Sequence, residues 1–322
     1  MKSVSVLLLN DCTTIAPIGA LELLKKSGVI HQQLTGEDKP FFHVELVSSL
    51  GTTVQTQDGY AIHCERSIEN LDKTDVLLLP ALEFDVKEKI EVNKHCVEHI
   101  RRLHQQGTEI ATMCTGAFLL AATGLLNQKK ATTHWFLTKT FQQMFPEVEL
   151  MDDKIIVDNG KLYTCGGATS FINLVLYLVE KYCGKETAIM TSKMLLIDFN
   201  KPPQNHYAMF TPQMQHDDKI IMETQEYLQS HNKFITVGQL AERANMSHST
   251  FLRRFKKATG ESPLKYIQRM QVEKIKDMLE TTDKRFDEIA YGLGYNDIPS
   301  LRKVFKHFTG LSPLQYKDRY KR

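Results

Sequence analysis

The sequence predicts an α/β fold over its first 200 residues, a parallel sheet sandwiched between helices, followed by an all-α unit over residues 217–322. Three observations predict it. Apolar runs alternate with amphipathic stretches up to about residue 200, Pro202-Pro203 break that pattern, and the helical remainder repeats itself at a spacing of 50 residues. A chain of 322 residues is long for one domain and sufficient for two or three.

The first strand is read over 4–10, VSVLLLN, which reaches Asn10 and Asp11 too soon for a secretory apolar region. HVELVSS (43–49), DVLLLP (75–80), TEIATM (108–113), KIIVD (154–158) and KLYTC (161–165) follow as strands. Near-continuous apolar runs such as Val76–Leu79 indicate strands covered on both faces. Between them 19–27, 87–105, 116–125, 135–144 and 168–183 read as helices, and the alternation implies parallel strands joined by crossover helices. In such sheets ligands bind beyond the carboxyl ends of the strands. Residues 201–216 open with two prolines and continue with polar residues, and read as a linker.

Composition narrows the function. Hydrophobic residues make up 42% and charged residues 24%, which excludes wholesale disorder. No uncharged apolar run approaches the roughly 18 residues of a membrane span, so no membrane partner is expected. The net charge of +2 hides an asymmetry: residues 217–322 carry 20 basic and 14 acidic residues, net +6, and residues 1–216 carry 20 and 24, net −4. All six cysteines lie in the acidic part without a C-x-x-C pair, which suits free thiols in a reducing cytoplasm. His95 and His99 share a helix face beside Cys96. No third ligand is placed, and Glu91, Lys94 and Glu98 mark a solvated face, so neither metal nor cofactor is expected.

The repeat aligns Phe255–Arg269 with Phe305–Arg319 without gaps, nine of 15 positions being identical. Two copies mean a duplicated supersecondary unit, since a solenoid needs at least three. Each copy has the grammar of a helix-turn-helix, about 236–258 and 285–308. In the first, Thr236 caps a helix, Asn245-Met246 make the turn, and Ser247 caps a second helix with Phe251, Phe255 and Ala258 on its core side. Ser249, Leu252, Arg253 and Lys256 fall on another face, and Arg253, Arg254, Lys256 and Lys257 supply four cations with no acid among them. An apolar back and a cationic front fit the major groove of DNA. The second copy turns at Gly294-Tyr295 and exposes Pro299, Arg302, Lys303 and Lys306, a face better suited to phosphate anchoring than to base reading. A helix from Pro263 to about Leu279, capped by Ser262, joins the copies across roughly 25 Å. With the offsets of the flanking helices, that length suits two recognition helices about one turn of DNA apart, ~34 Å.

LAERANMSHSTFLRRFKKATGESPLKYI and EIAYGLGYNDIPSLRKVFKHFTGLSPLQYK closely resemble the DNA-binding domain of the arabinose-operon-regulator (AraC/XylS) family. The resemblance implies that Ser249, Leu252 and Arg253 read bases, flanked by His248, Lys256 and Lys257. It puts Pro299, Arg302 and Lys303, with Lys306, in the corresponding places of the second copy.

Residues 1–200 resemble the class I glutamine-amidotransferase-like, flavodoxin-like fold of the PfpI superfamily, and more narrowly its GlxA-type regulators. The motifs are Met113–Leu120, Ala131-Thr132-Thr133-His134-Trp135 and Leu162–Gly167. This implies a sensor for a nitrogen-containing small molecule, a homodimer made through this part, and a pocket drawn from Asp11, Glu22, Ala81, Cys114, Thr115, His134 and Cys165. Cys114 stands where a strand turns into a helix, as a nucleophile would. Hydrolytic relatives carry His after that Cys, where Thr115 stands here. An acidic position of other members reads Ala16, and the glycine pair after the third strand reads Ala81-Leu82. The sequence is therefore read as a ligand-responsive, sequence-specific DNA-binding transcription regulator rather than an enzyme. The alternative is a cysteine-dependent amidase or glyoxalase fused to a DNA-binding domain.

Overall fold

Strands β1 (Lys2–Leu8), β2 (Phe42–Ser48), β5 (Arg66–Ser67), β6 (Val76–Leu79), β7 (Glu109–Thr112), β10 (Ile156–Asp158) and β11 (Leu162–Cys165) form one sheet in a computed structural model of the chain. The order is β10-β11-β7-β6-β1-β2-β5, and every neighbour is parallel except β10 against β11. The structure describes all residues except 11, 57–58, 84, 199–202, 215, 232 and 322. It divides into two units, Met1–Gln204 and Asn205–Arg322.

The period-two alternation of each central strand feeds two cores. Val4, Val6, Val76, Leu78, Ala111, Met113, Tyr163 and Cys165 pack against α1 (Ile15–Thr35) and α6 (Phe171–Met194). Leu7, Leu77, Leu79, Ile110 and Leu162 face the other way, onto α3 (His95–Gln105) and α4 (Gly116–Ala122). The sheet is thus covered on both faces, as the run Val76–Leu79 predicts.

Several boundaries differ from the sequence reading. α1 spans 21 residues rather than nine, because Gly19 and Gly28 lie inside it. Both are packing glycines: a Cβ would stand 2.8 Å from the Phe171 ring at Gly19 and 3.0 Å from Phe42 N at Gly28. The stretch 87–105 is two helices, α2 (Val86–Val92) and α3, parted at Asn93, whose side chain bonds back to Lys89 O at 2.9 Å. α6 continues past the expected end at residue 183, bending at Gly184 (φ 85°, ψ 164°). The hairpin β3 (Thr53–Gln55) and β4 (Ala61–His63) and the pair β8 (Lys130–Ala131) and β9 (Glu149–Leu150) are two or three residues long, too short for an apolar period. The helix read over 135–144 is a short turn from Trp135 to Leu137 followed by α5 (Thr138–Met144).

The second unit is helical: α7 (Lys219–Ser230), α8 (Val237–Arg243), α9 (His248–Thr259), α10 (Pro263–Thr281), α11 (Phe286–Gly292), α12 (Ile298–Thr309) and α13 (Pro313–Tyr320). It has two cores. Ile221, Leu240, Phe251, Phe255 and Tyr266 belong to one, and Ile275, Ile289, Leu301, Phe305 and Tyr316 to the other. α10 supplies both, its first half to the first and its second half to the other, so 19 residues and about 28 Å of helix act as a common spine. Residues 206–210, read as linker, pack along this unit: Lys276 Nζ donates to Ala208 O at 3.0 Å, and Phe210 N to Glu273 Oε1 at 3.0 Å.

Candidate functional site

The duplicated motifs are duplicated in their hydrogen bonds. Thr259 Oγ1 donates to Phe255 O at 2.8 Å and accepts from Glu261 N at 3.3 Å. Thr309 Oγ1 donates to Phe305 O at 2.8 Å and accepts from Leu311 N at 3.2 Å. Gly260 and Gly310 follow in the left-handed region (φ 76° and 72°), closing α9 and α12. Ser262 and Ser312 then cap α10 and α13, each with proline in the first turn.

In the first motif Thr236 and Gln239 form a capping box on α8, Asn245 takes φ 51° in the turn, and Ser247 caps α9. α9 buries Phe251, Phe255 and Thr259 and exposes His248, Ser249, Arg253, Lys256 and Lys257, with Leu252 half-buried. Arg254 departs from the expected cationic face. It flanks the core at Phe251 plus three and makes a two-point ion pair with the α7 cap Asp218, Nε–Oδ2 2.9 Å and Nη2–Oδ1 2.7 Å. Its charge is spent inside the unit, which leaves three cations on the face.

In the second motif α12 buries Ile298, Leu301, Phe305 and Thr309 and exposes Pro299, Arg302, Lys303 and Lys306. Arg302 reaches back to Asp287 Oδ1 at 2.5 Å and lies over the Phe286 ring. Lys303 and Lys306 carry that face's remaining positive charge.

At the carboxyl ends of the parallel strands, β7 runs into α4 through Cys114, whose φ of 54° is rare for a residue with a Cβ. α4 lies so close to β6 that a Cβ at Gly116 would stand 2.4 Å from Pro80 O. Thr115 Oγ1 donates to Leu82 O at 2.5 Å, fixing the turn beside Ala81. Thr133 Oγ1 donates to Cys114 O at 3.2 Å and ties the elbow to the segment that carries His134. Cys114 is 6% exposed, and burial pushes its thiol up to about 11 against the pull of the Thr115 N–H and hydroxyl. His134 is half-buried, its pKa is lowered by burial, and its Nδ1 accepts the Phe136 N–H at 3.1 Å. That bond selects the tautomer with hydrogen on Nε2, a donor at neutral pH rather than a base.

Two comparisons with family models decide the affiliation. The DJ-1/PfpI family matches residues 2–181, and a helix-turn-helix domain matches residues 240–319. The chain belongs to the DJ-1/PfpI family. Among its relatives are the HTH-type transcriptional regulators GbdR of Pseudomonas aeruginosa, 24% identical over 97% of this chain and 83% of that one, and GlxA of Rhizobium meliloti, 20% identical over 97% and 94%. The isonitrile hydratase of Pseudomonas putida is 29% identical over 48% of this chain and 66% of its own. A crystal structure of a putative transcriptional regulator from Vibrio parahaemolyticus superposes with a TM-score of 0.54 at 25% identity, covering 60% of this chain and 98% of that one.

The DJ-1/PfpI unit gathers Ala81, Cys114, Thr115 and the Thr133-His134 segment at one end of its sheet, and leaves two expected residues elsewhere. Glu22 is on the exposed side of α1, between the buried Leu21 and Leu23, and is not part of the site. Cys165 shares the β11 face of Tyr163 and is fully buried in the apolar core against α1 and α6. Asp11 lies outside the described residues. Among the described residues the cavity at this end, lined by Leu9, Asn10, Cys12, Ala81 and Leu82, measures about 10 Å³, the least that holds one water.

Gln204 is the residue the sequence reading missed: it is buried and bonded to Thr132 and Thr133. A contact across 71 residues leaves no local pattern. Arg254, counted among the cations of α9, could have been set apart by its place three residues after the core residue Phe251.

Proposed function

We propose that the chain is a DNA-binding transcription regulator whose DJ-1/PfpI unit senses a small nitrogen-containing effector. The observation that carries this reading is the pair of capped helices, α9 and α12, each with an apolar back and a solvent-facing cationic front. Arg253 is the base-reading residue, with Ser249 and Leu252 beside it. Lys256, Lys257, Lys303 and Lys306 hold phosphates. The regulator works in the cytoplasm as a homodimer joined through the DJ-1/PfpI unit, and effector binding changes its affinity for paired sites on double-stranded DNA. Such a change requires that the effector bind the two states unequally.

Selection of sites from random duplexes by the full chain tests the reading, followed by Arg253→Ala on the selected site. Loss confined to one base position supports it; equal weakening on every sequence contradicts base reading by Arg253. A thermal-shift screen of amines and amino acids tests the sensor, because a bound ligand raises apparent stability. No shift across a broad library contradicts it.

The strained backbone at Cys114 favours a second reading, a cysteine-dependent enzyme on the same fold. A thiol near 11, and a histidine whose Nδ1 is engaged, weigh against it. Cys114→Ser separates the two: a regulator keeps its DNA binding, whereas an enzyme loses turnover.

A further inference from the structure

Gln204 ends the first unit and is 2% exposed. Its Nε2, with two hydrogens, lies 3.0 Å from Thr132 Oγ1, 3.0 Å from Thr133 O and 2.8 Å from Lys154 O, so one hydrogen is shared between two acceptors. Its Oε1 accepts the Gly167 N–H at 3.1 Å, and its own N–H donates to Asp153 O at 3.0 Å. Thr132 Oγ1 gives its hydrogen to Lys154 O at 2.9 Å and so turns lone pairs to the amide. Gly166 lies against the amide: a Cβ there would fall 2.0 Å from Nε2 and 2.3 Å from Oε1. Gly166 does not have a positive φ, so space for the amide, not backbone conformation, demands glycine.

Three acceptors sharing two hydrogens at one end of a planar group, and one donor at the other, match a primary carboxamide. A carboxylate would set lone pairs against the acceptors, and a hydrocarbon would leave buried polar groups unsatisfied. The pocket also shares a wall with the elbow, since Thr133 bonds both Gln204 and Cys114 O.

We propose that this pocket is a carboxamide-binding site, filled here by the chain's own Gln204, and that small molecules bearing a primary carboxamide compete for it and free the segment entering the helix-turn-helix unit. The release rests on the sensor reading above; the binding does not. An internal ligand lowers the apparent affinity for a free one by the fraction of time the site is vacant. Removing it therefore exposes the site.

The probe is propionamide, titrated calorimetrically into the full chain, with propionate as control. Gln204→Ala should bind propionamide at least about tenfold tighter than the wild type. Gln204→Glu, which cannot stay among three acceptors, should do the same. Adding Gly166→Ala to Gln204→Ala should abolish binding, because the methyl takes the amide's place. Propionate should not bind. Folded Gln204 variants that bind propionamide no better than wild type, or that bind propionate equally, would overturn the site. In the wild type, saturating propionamide should raise hydrogen exchange over residues 203–210, and unchanged exchange would overturn the release. Duplex binding measured on the same samples keeps the two readings apart. Intact duplex binding without propionamide binding sinks the site alone; a wild type that binds no duplex sinks the regulator.

Discussion

Arg253 and Arg254 are neighbours in sequence, yet α9 turns the first to solvent and locks the second onto Asp218. Their substitutions should therefore be read by different assays. Arg253→Ala should lose about 1–3 kcal/mol at one base position and leave the melting temperature nearly unchanged. Arg254→Ala should lower the melting temperature at pH 7. The Arg254 hydrogen bond holds the Asp218 carboxyl below its ordinary 3.8, so the pair's contribution is full above that value and is lost as pH falls through the lowered pKa. The gap between wild type and Arg254→Ala should narrow as pH falls below 3.8; a gap that acid leaves unchanged contradicts the pairing. His206 titrates nearer neutrality. Burial lowers its pKa below 6.5, and among the described residues its buried Nδ1 has no hydrogen-bond partner. Neutral His206 stabilises the helix-turn-helix unit above pH 6.5, and that stability should fall as pH drops below it; His206→Gln should flatten the dependence. Cys114, with its thiol near 11, should alkylate slowly at pH 8 and faster as pH approaches 11. Rapid alkylation at pH 7 would restore the enzyme reading. The positions of Cys114 and Arg253 were legible because strand-to-helix and helix periodicity are local. That Glu22 is exposed on α1 and Cys165 buried in the core was not legible, because a motif gives proximity in sequence, not the face a side chain takes.

Among the described residues α10 is the one helix that both cores share, with Phe234 touching the second half through Leu293 O and the Tyr295 ring. Phe305, fully buried against Phe286 and Tyr316, anchors one half; Phe255 against Phe251 and Tyr266 anchors the other. Phe305→Ala should cost about 3–5 kcal/mol, with hydrogen-exchange protection falling first in α11–α13 and persisting in α8 and α9. Uniform loss from α7 to α13 would show a single cooperative core instead. These helices were legible because capping residues, Gly stops and a 50-residue repeat mark their ends. α1 was half-read because Gly19 and Gly28 serve contacts with Phe171 and Phe42, which are distant in the chain. β10 reverses direction through the Asn159-Gly160 turn, so the sheet ends on one antiparallel strand that the strand–helix alternation did not announce.

A net charge of +2 describes neither part of this molecule: the acidic portion carries the DJ-1/PfpI fold, and the basic portion carries the helix-turn-helix domain with α9 and α12. Affinity for DNA should accordingly fall steeply with salt. Each of Lys256→Ala and Lys303→Ala should reduce the slope of log affinity against log salt by about 1 while leaving sequence preference intact. Two recognition helices on one spine read a longer site than one, so selection by the full chain should return two conserved blocks about one helical turn apart. The most direct measurement is the ratio of affinities of the full chain for a selected duplex and for the same duplex scrambled, at one salt concentration. A ratio of about 10³ or more is the predicted result. Equal affinity for both duplexes would contradict sequence-specific regulation, whatever the strength of binding.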